Sequence, residues 1–535
     1  MKSTNNEMQS RGGAFMRYVF NSQSRYLMSS FFLITFSTSL FAAEDYGISG
    51  RHDLSDRYAD LDHQGRTPQQ STSQGQPLQE SALSKIDEEI RKVLRKVFTL
   101  SNSSAIFPRL SNSNQRGLAA FYGERDYQPL WIEGGQWSSR AVRLIHRLSR
   151  ADEDALDPDK YHVLQFQDGN PDVESLARAD LALTQAVIAY VLDARGARIN
   201  LAQLSKVINP KLELPEATSI LTNLISVPDS EDALAKYNPQ HQGYVALKEK
   251  LAEFRDYTSA ITDDSGNWNS VKKNPNTDIY DKNLKKSSVL AEIIANMERW
   301  RWLPSDLGPD RIEVNLPEYT ARVFRKGQLV YSTRVIIGKR STPTPLFSNQ
   351  MVYLIVNPSW HVPDSIVNNE ILPKLAEDPD YATRNGYEIT ELDTGRISIR
   401  QPPGTGNALG LVKFMFPNEH AIYLHDTPNK KLFAHSQRAF SHGCIRVQNP
   451  FELAAILLDD GQYSEDRLKE MIGRGERLIP LKAPVPIHLT YFTLRVDENG
   501  EIERIPDVYG FDKPLGQVLK ASPSRAMATL RFGGD

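Results

Sequence analysis

Cys444 is the sole cysteine of this 535-residue chain, and it sits in the run Ser441-His442-Gly443-Cys444-Ile445-Arg446. A thiol reacts as its thiolate, and nearby positive charge lowers its pKa, so these flanks are expected to favour a nucleophile. Gly443 lets the backbone turn tightly and come close to a substrate. A thiol nucleophile also needs a proton acceptor, and its leaving group needs a donor. His425, at the end of a short apolar run, is the candidate for both duties. The backbone N–H groups of Gly443 and Cys444 are candidates for an oxyanion hole, and His442 and Ser441 for shaping the site. The fork of Arg446 suits a substrate carboxylate, and it suits a structural ion pair equally well. Tyr423 either lines the cleft or packs within its strand. Asp426 is a further candidate beside His425, although adjacent side chains rarely face one another. His435 and His361 read as structural.

Two blander chemistries compete for Cys444. One is a buried, inert, small apolar residue, for which Ser, His, Gly and Arg make poor neighbours. The other is a metal site built from His442, Cys444 and another histidine. No paired cysteines and no HExxH-like spacing support it, so neither metal nor cofactor is expected.

Rigid elements must hold such a pair. Downstream, Asn449 can cap a helix, Pro450 fits its first position, and Glu452 falls three residues after the cap. Phe451, Leu453, Ala454, Ile456, Leu457 and Leu458 supply its apolar face, and Gly461 suits the stop. Upstream, Ala421-Ile422-Tyr423-Leu424 reads as a short strand after a Pro417-Asn418 turn. His425 is then at a strand end, and Cys444 on a loop entering the next element.

His425 followed by Ser441-His442-Gly443-Cys444-Ile445-Arg446 resembles the signature of the L,D-transpeptidases with a YkuD-type catalytic domain. NMERWRWLP (296–304), VNLPEYTARVF (314–324), NPSWHVPDSI (357–366) and LGLVKFMFPNEHAIYLHDTP (409–428) resemble the large Gram-negative, YcbB-like branch. The resemblance implies a helical scaffold before the catalytic domain and an insertion that caps the cleft. It also implies that a backbone carbonyl helps to steer the ring of His425. The implied activity is peptidoglycan cross-linking: Cys444 forms a thioester with a tetrapeptide stem, D-alanine leaves, and the amine of a second diaminopimelate completes a 3→3 bond. Stem peptides are the implied partners, alongside other cell-wall synthesis proteins. A thiol carboxypeptidase using water, and a non-catalytic wall scaffold, are the alternatives.

The whole chain is consistent with an exported multidomain protein. Its length suggests two to four domains. Composition is globular, with 40% hydrophobic and 24% charged residues. A net charge of −3 carries no nucleic-acid or membrane-surface footprint. Arg11, Arg17 and Arg25 precede an apolar run from Leu27 to Ala43, which reads as a secretory signal, or as an uncleaved anchor. Export places the rest of the chain outside the cytoplasm, and the resemblance to the Gram-negative branch implies the periplasm, with the signal segment cleaved or tethering the chain to the inner membrane. A single cysteine allows no internal disulfide, so Cys444 is no staple.

The fold class read from the chain is α+β and multidomain. Residues 1–43 are the signal segment and 44–80 a polar linker. A mostly α-helical scaffold at 81–290 carries Leu83, Ile86, Ile90, Val93, Leu94 and Val97 at helical spacing. Phe121, Tyr122, Tyr127 and Trp131 are expected to pack between helices rather than bind sugars. Asp152-Glu153-Asp154 reads as a solvated helix end rather than a metal site. The polar stretch 257–287 lacks the peptidoglycan-binding repeat usual in the branch. A β-rich catalytic domain spans 291–484, with Lys326-Gly327 in a hairpin turn and the capping insertion at 364–410. Residues 485–535 form a C-terminal hairpin, Asn499-Gly500 at its tip, and a tail.

Overall fold

The structure is a computed structural model, and it describes residues 76–100, 107, 110–163, 171–259 and 277–521. The signal segment, most of the linker and much of the polar 257–287 stretch lie outside the described residues. An α-helical half precedes a β-rich half, as the periodicity indicates.

Helix α1 (Gln76–Leu100) begins inside the stretch read as linker. It buries Ile90, Leu94 and Val97 against the N-terminal core, and Ile86 and Val93 pack at its margin. The helices α2 (Asn112–Glu124), α3 (Ser139–Ser149), α4 (Val173–Ala194) and α5 (Ala217–Ser226) complete that core. Side-chain oxygens of Ser111, Ser138 and Asp172 cap the first three of these, satisfying N–H groups that the helix leaves open. Helix α4 is apolar enough to cross a membrane, but 72% of its apolar window is buried in this protein, which makes it the core helix. Tyr122 and Trp131 are fully buried, consistent with packing rather than sugar binding.

The acidic run departs from expectation. Asp154 is buried, not solvated: Arg147 pairs with it, Lys248 Nζ stands 2.8 Å away and the Tyr244 hydroxyl donates at 3.2 Å. Lys248, brought in by the tertiary fold, explains this together with Arg147 from the preceding helix.

Helices α6 (Gln242–Ser259) and α7 (Thr277–Trp300) lead into the second half, and α7 spans the 290/291 boundary. At its end Arg301 is wholly buried among Glu298, Tyr244 and the Asp154 carbonyl, which ties the two halves together.

The strands β1 (Arg311–Asn315), β2 (Thr320–Arg325), β3 (Gln328–Gly338) and β4 (Phe347–Val356) open the β-rich half. Lys326 and Gly327 turn the β2–β3 hairpin with φ of 50° and 77°, a left-handed pair that suits the twist of a two-residue loop. Strand β5 (Trp360–His361), just ahead of the insertion in the chain, joins the insertion's β6 (Glu388–Glu391) and β7 (Ile397–Gln401) in a small sheet of order β5-β7-β6, beside short helical segments from Asp364 to Arg384. Helical and loop-like pieces were the expectation there. The edge strand β6 is exposed on both faces, so it lacks the apolar alternation that marks a strand.

Then come β8 (Val412–Met415), β9 (Leu424–His425), β10 (Ala439–Ser441), β11 (Ile445–Val447) and β12 (Arg477–Thr490). The main sheet runs β10-β3-β11-β9-β8-β4-β12-β1-β2, and β2 pairs again with β3 to close it. Strand β12 lies between β4 and β1, so residues 485–490 belong to the middle of this sheet rather than to a C-terminal unit. Hairpin β13 (Leu494–Val496) and β14 (Ile502–Arg504) follows, with Asn499-Gly500 in its loop, and α8 (Asp512–Ala521) closes the described chain.

Candidate active site

Register places the chemistry. Strands β9 and β11 are parallel, with Leu424 opposite Ile445 and His425 opposite Arg446. Tyr423 and Cys444 each precede these strands by one residue. Side chains alternate between faces. Leu424, Ile445 and Phe414 therefore point into the core, where all three are fully buried. Tyr423, His425, Cys444 and Arg446 share the other face. Lys413 of β8 joins them, since it pairs with His425 from the far side.

The turn before β11 presents the thiol. Gly443 has φ of 120°, and a Cβ there would meet Ile422 Cδ1 at 3.1 Å. Ser441 Oγ donates to the Cys444 carbonyl at 2.5 Å and accepts the Gly443 N–H at 3.1 Å. Ser441 thus shapes this turn directly. The same bond corrects one expectation: the Gly443 N–H is already engaged and is not aimed at a substrate. Thr344 Oγ1 holds the Gly443 carbonyl at 2.7 Å.

The sulfur is half-buried and points at the Ala421 carbonyl, 3.8 Å away. Burial pushes the thiol above its ordinary value, against the pull of the Tyr423 N–H and hydroxyl, Lys413 and Arg446. This too corrects the sequence reading. The positive neighbours are present, but desolvation outweighs them, and the resting thiol is protonated.

His425 is buried, and its pKa falls to about 3. Desolvation is the main cause, with the Arg446 charge next and the Asp426 and Leu409 carbonyls opposing. Nδ1 is buried without a hydrogen-bond partner among the described residues. His425 and Cys444 are diagonal neighbours on one sheet face, while the Tyr423 ring lies edge-on to the imidazole at 5.7 Å.

Other candidates fall elsewhere. Asp426 faces away from the imidazole: it accepts the Leu411 N–H at 2.9 Å and holds Lys430 at 2.5 Å. Both oxygens are committed to the fold, so Asp426 neither orients His425 nor meets substrate. His442 is exposed, with Nε2 2.5 Å from Glu370 of the insertion and 3.3 Å from Lys339 Nζ. It contacts the insertion rather than the sulfur. His435 packs edge-on to Phe440 at 5.4 Å. No group of three or more metal-ligating side chains occurs among the described residues.

The helix after the cysteine, Pro450–Leu458, starts at Pro450 as expected, but the Asn449 side chain makes no cap bond to the backbone and reaches Glu452 at 3.3 Å instead. Asp459, at φ 42°, ends it two residues before Gly461.

Two site residues escaped the sequence reading. Lys413 Nζ lies 3.9 Å from the Tyr423 ring centre. A lone lysine between Val412 and Phe414 was the available signal, since it marks the non-core face of an apolar strand. Trp360, at the root of the insertion, acts on the Tyr423 hydroxyl. Nothing local announces that contact.

A closed β-sheet presenting a cysteine on a glycine turn, with a histidine on the same face, matches a known class. Residues 309–486 match the family model described as the L,D-transpeptidase catalytic domain, YkuD, and residues 116–251 match the one described as the Scaffold domain. The chain therefore carries a YkuD-type L,D-transpeptidase catalytic domain behind a scaffold domain. A Haemophilus influenzae protein provisionally named an L,D-transpeptidase is 35% identical over 248 residues, 43% of this chain and 50% of that protein. The chain thus spans about half the length of this curated relative. Among solved structures, an L,D-transpeptidase from Mycobacterium smegmatis shares 13% identity over 34% of this chain and 58% of its own, with a TM-score of 0.19. An L,D-transpeptidase in complex with imipenem shares 14% identity over 34% of this chain and 59% of its own, with a TM-score of 0.18.

Proposed function

We propose that this protein is an exported peptidoglycan L,D-transpeptidase that works through a thioester on Cys444. The observation that carries the reading is the placement of Cys444 and His425 on one face of the paired strands β9 and β11.

The steps balance without a cofactor. The Cys444 sulfur attacks the carbonyl between the L-centre of diaminopimelate and the terminal D-alanine of a tetrapeptide. Its proton passes to the neutral imidazole of His425. Negative charge gathers on the carbonyl oxygen, and the Cys444 N–H and Tyr423 hydroxyl are the donors beside the sulfur. The C–N bond then breaks, the imidazolium protonates the departing amine, and D-alanine leaves a thioester behind. The amine of a second diaminopimelate attacks that thioester and gives its proton to His425, which returns it to the sulfur. The product is a 3→3 cross-link.

Protonated thiol and neutral imidazole are the resting states, since burial disfavours both charged forms. Proton transfer is accordingly coupled to attack, once bound substrate has replaced water. Periplasmic location and stem-peptide substrates complete the reading, with other wall-synthesis proteins as partners.

Incubation with purified tetrapeptide muropeptides tests it. The expected intact mass is that of the tripeptidyl acyl-enzyme, with a dimer carrying a diaminopimelate–diaminopimelate bond as product. Free D-alanine without dimer means hydrolysis instead. Full cross-linking by Cys444→Ala sinks the mechanism. A carbapenem is expected to add covalently to Cys444 in the same assay.

A further inference from the structure

Lys413, His425 and Arg446 form one row across three neighbouring strands, with the imidazole between the two cations. Strands lie about 4.8 Å apart, so the Cα atoms of Lys413 and Arg446 are about 10 Å apart, a gap that two long basic side chains can close over the histidine. Neither cation has an acidic partner at contact distance among the described residues. Lys413 Nζ sits over the Tyr423 ring, and Arg446 Nε is buried with no hydrogen-bond partner among the described residues. The acid whose field reaches Lys413 is Glu476, and its Oε2 is held by the Ser359 N–H at 2.8 Å and hydroxyl at 2.5 Å.

Buried guanidiniums elsewhere among the described residues have partners, and Arg438, which meets no acid, is held by the carbonyls of Tyr319, Val335 and His435. Arg147 pairs with Asp154, Arg299 with Asp512 at 2.5 Å, and Arg301 with Glu298 at 3.3 Å. An uncompensated buried charge is expensive. Lys413 and Arg446 are half-buried beside the sulfur, and the unpaired Arg446 Nε is buried, so an anion seated there would complete the row.

We propose that Lys413 and Arg446 together bind a carboxylate of the acyl donor, so that the ligand completes a charge pattern the fold leaves open. This rests on the acyl-transfer reading of Cys444. Arg446 lies two residues beyond Cys444 on the same strand face, about 6.6 Å along it. A donor whose carbonyl meets the sulfur, and which carries a carboxylate about one residue (~3.8 Å) away, can place that group over the row. The stem peptide offers two candidate groups: the C-terminal carboxylate of the leaving D-alanine, about one residue (~3.8 Å) from that carbonyl, and the side-chain carboxylate of diaminopimelate, farther off at the end of its longer side chain. Arg446 can grip either through its fork, with Lys413 as a point charge. Seating the anion also relaxes the field on His425, so the imidazole becomes a better proton acceptor once a donor is in place.

The test is calorimetric binding to the full chain carrying Cys444→Ser, which binds without forming the thioester. Three tetrapeptides serve as probes: the free acid, the C-terminal carboxamide and the diaminopimelate side-chain amide. One amide is expected to bind at least about tenfold more weakly than the acid. Lys413→Met and Arg446→Gln should erase that difference, and Arg446→Lys should restore part of it. The amide that loses affinity identifies the carboxylate. Equal binding of all three probes overturns the proposal, and so does full discrimination in both variants. A pH–rate profile of iodoacetamide alkylation, on chains that keep Cys444, separates the rival role of stabilising the thiolate. Lys413→Met and Arg446→Gln that raise the thiol pKa but leave the acid-to-amide ratio untouched also overturn it. Failure of the transpeptidase reading would show separately, as no acyl-enzyme on unmodified Cys444.

Discussion

Tyr423 and Cys444 each stand one residue before the parallel strands β9 and β11, and the tyrosine's hydroxyl and backbone N–H both draw the thiol towards ionisation. Tyr423→Phe keeps the ring and the N–H and removes the hydroxyl. The alkylation pH–rate profile of Cys444 should move up by about one unit or less. Acylation by tetrapeptide should slow about tenfold or more, since a donor beside the reacting carbonyl is lost. An unchanged profile and rate would show that the hydroxyl is a bystander.

His425 sets an acid limit on stability. Its folded pKa is about 3, against an ordinary value near 6.5. Above that ordinary value both folded and unfolded rings are neutral, and the contribution is whole. As pH falls below it, the unfolded chain takes a proton that the folded chain refuses, so stability drops until pH reaches about 3. The full span is at most about 5 kcal/mol. His241 and His488 are also pushed down by burial and add to the slope. Denaturant titrations across this range should show a shallower slope for His425→Gln than for the parent.

The His442–Glu370 contact joins the catalytic turn to the insertion. Both side chains are about a third exposed, at 35% and 38%, so the pair should add no more than about 1 kcal/mol to stability. Glu370→Gln is expected to leave the melting temperature within a few degrees while raising KM for the donor. A large loss of stability with KM unchanged would place the contact in the fold rather than at the cleft.

Gly410 packs its backbone against Asp426, the residue after His425. Its φ is +63°, and a Cβ there would lie 2.4 Å from Asp426 Cγ. Gly410→Ala must push Asp426 away from Lys430 and the Leu411 N–H, next to His425. A loss of about 2–4 kcal/mol is expected by chemical denaturation, with acylation reduced as well. Retention of both would mean that this loop yields without cost.

Local rules made much of the molecule legible. Alternating apolar residues in β1, β2 and β3 need only their own segment, as does the Lys326-Gly327 turn. Helical spacing at Ile90, Leu94 and Val97 likewise matches the buried face of α1. The run from Ser441 to Arg446 already isolated the sulfur and its glycine turn.

Tertiary structure decided the rest, because burial and charge balance depend on segments far apart in the chain. Asp154 is buried because Lys248 comes to it, joining Arg147. Asp426 is committed to the fold because β9 turns it away from the imidazole. Strand β12 lies inside the main sheet because β4 and β1 leave a place between them. Which cations beside Cys444 lack a counter-charge, and that its thiol is held protonated, follow from packing alone. Sequence specifies which atoms can react, whereas desolvation and the field of distant charges decide in what state they wait.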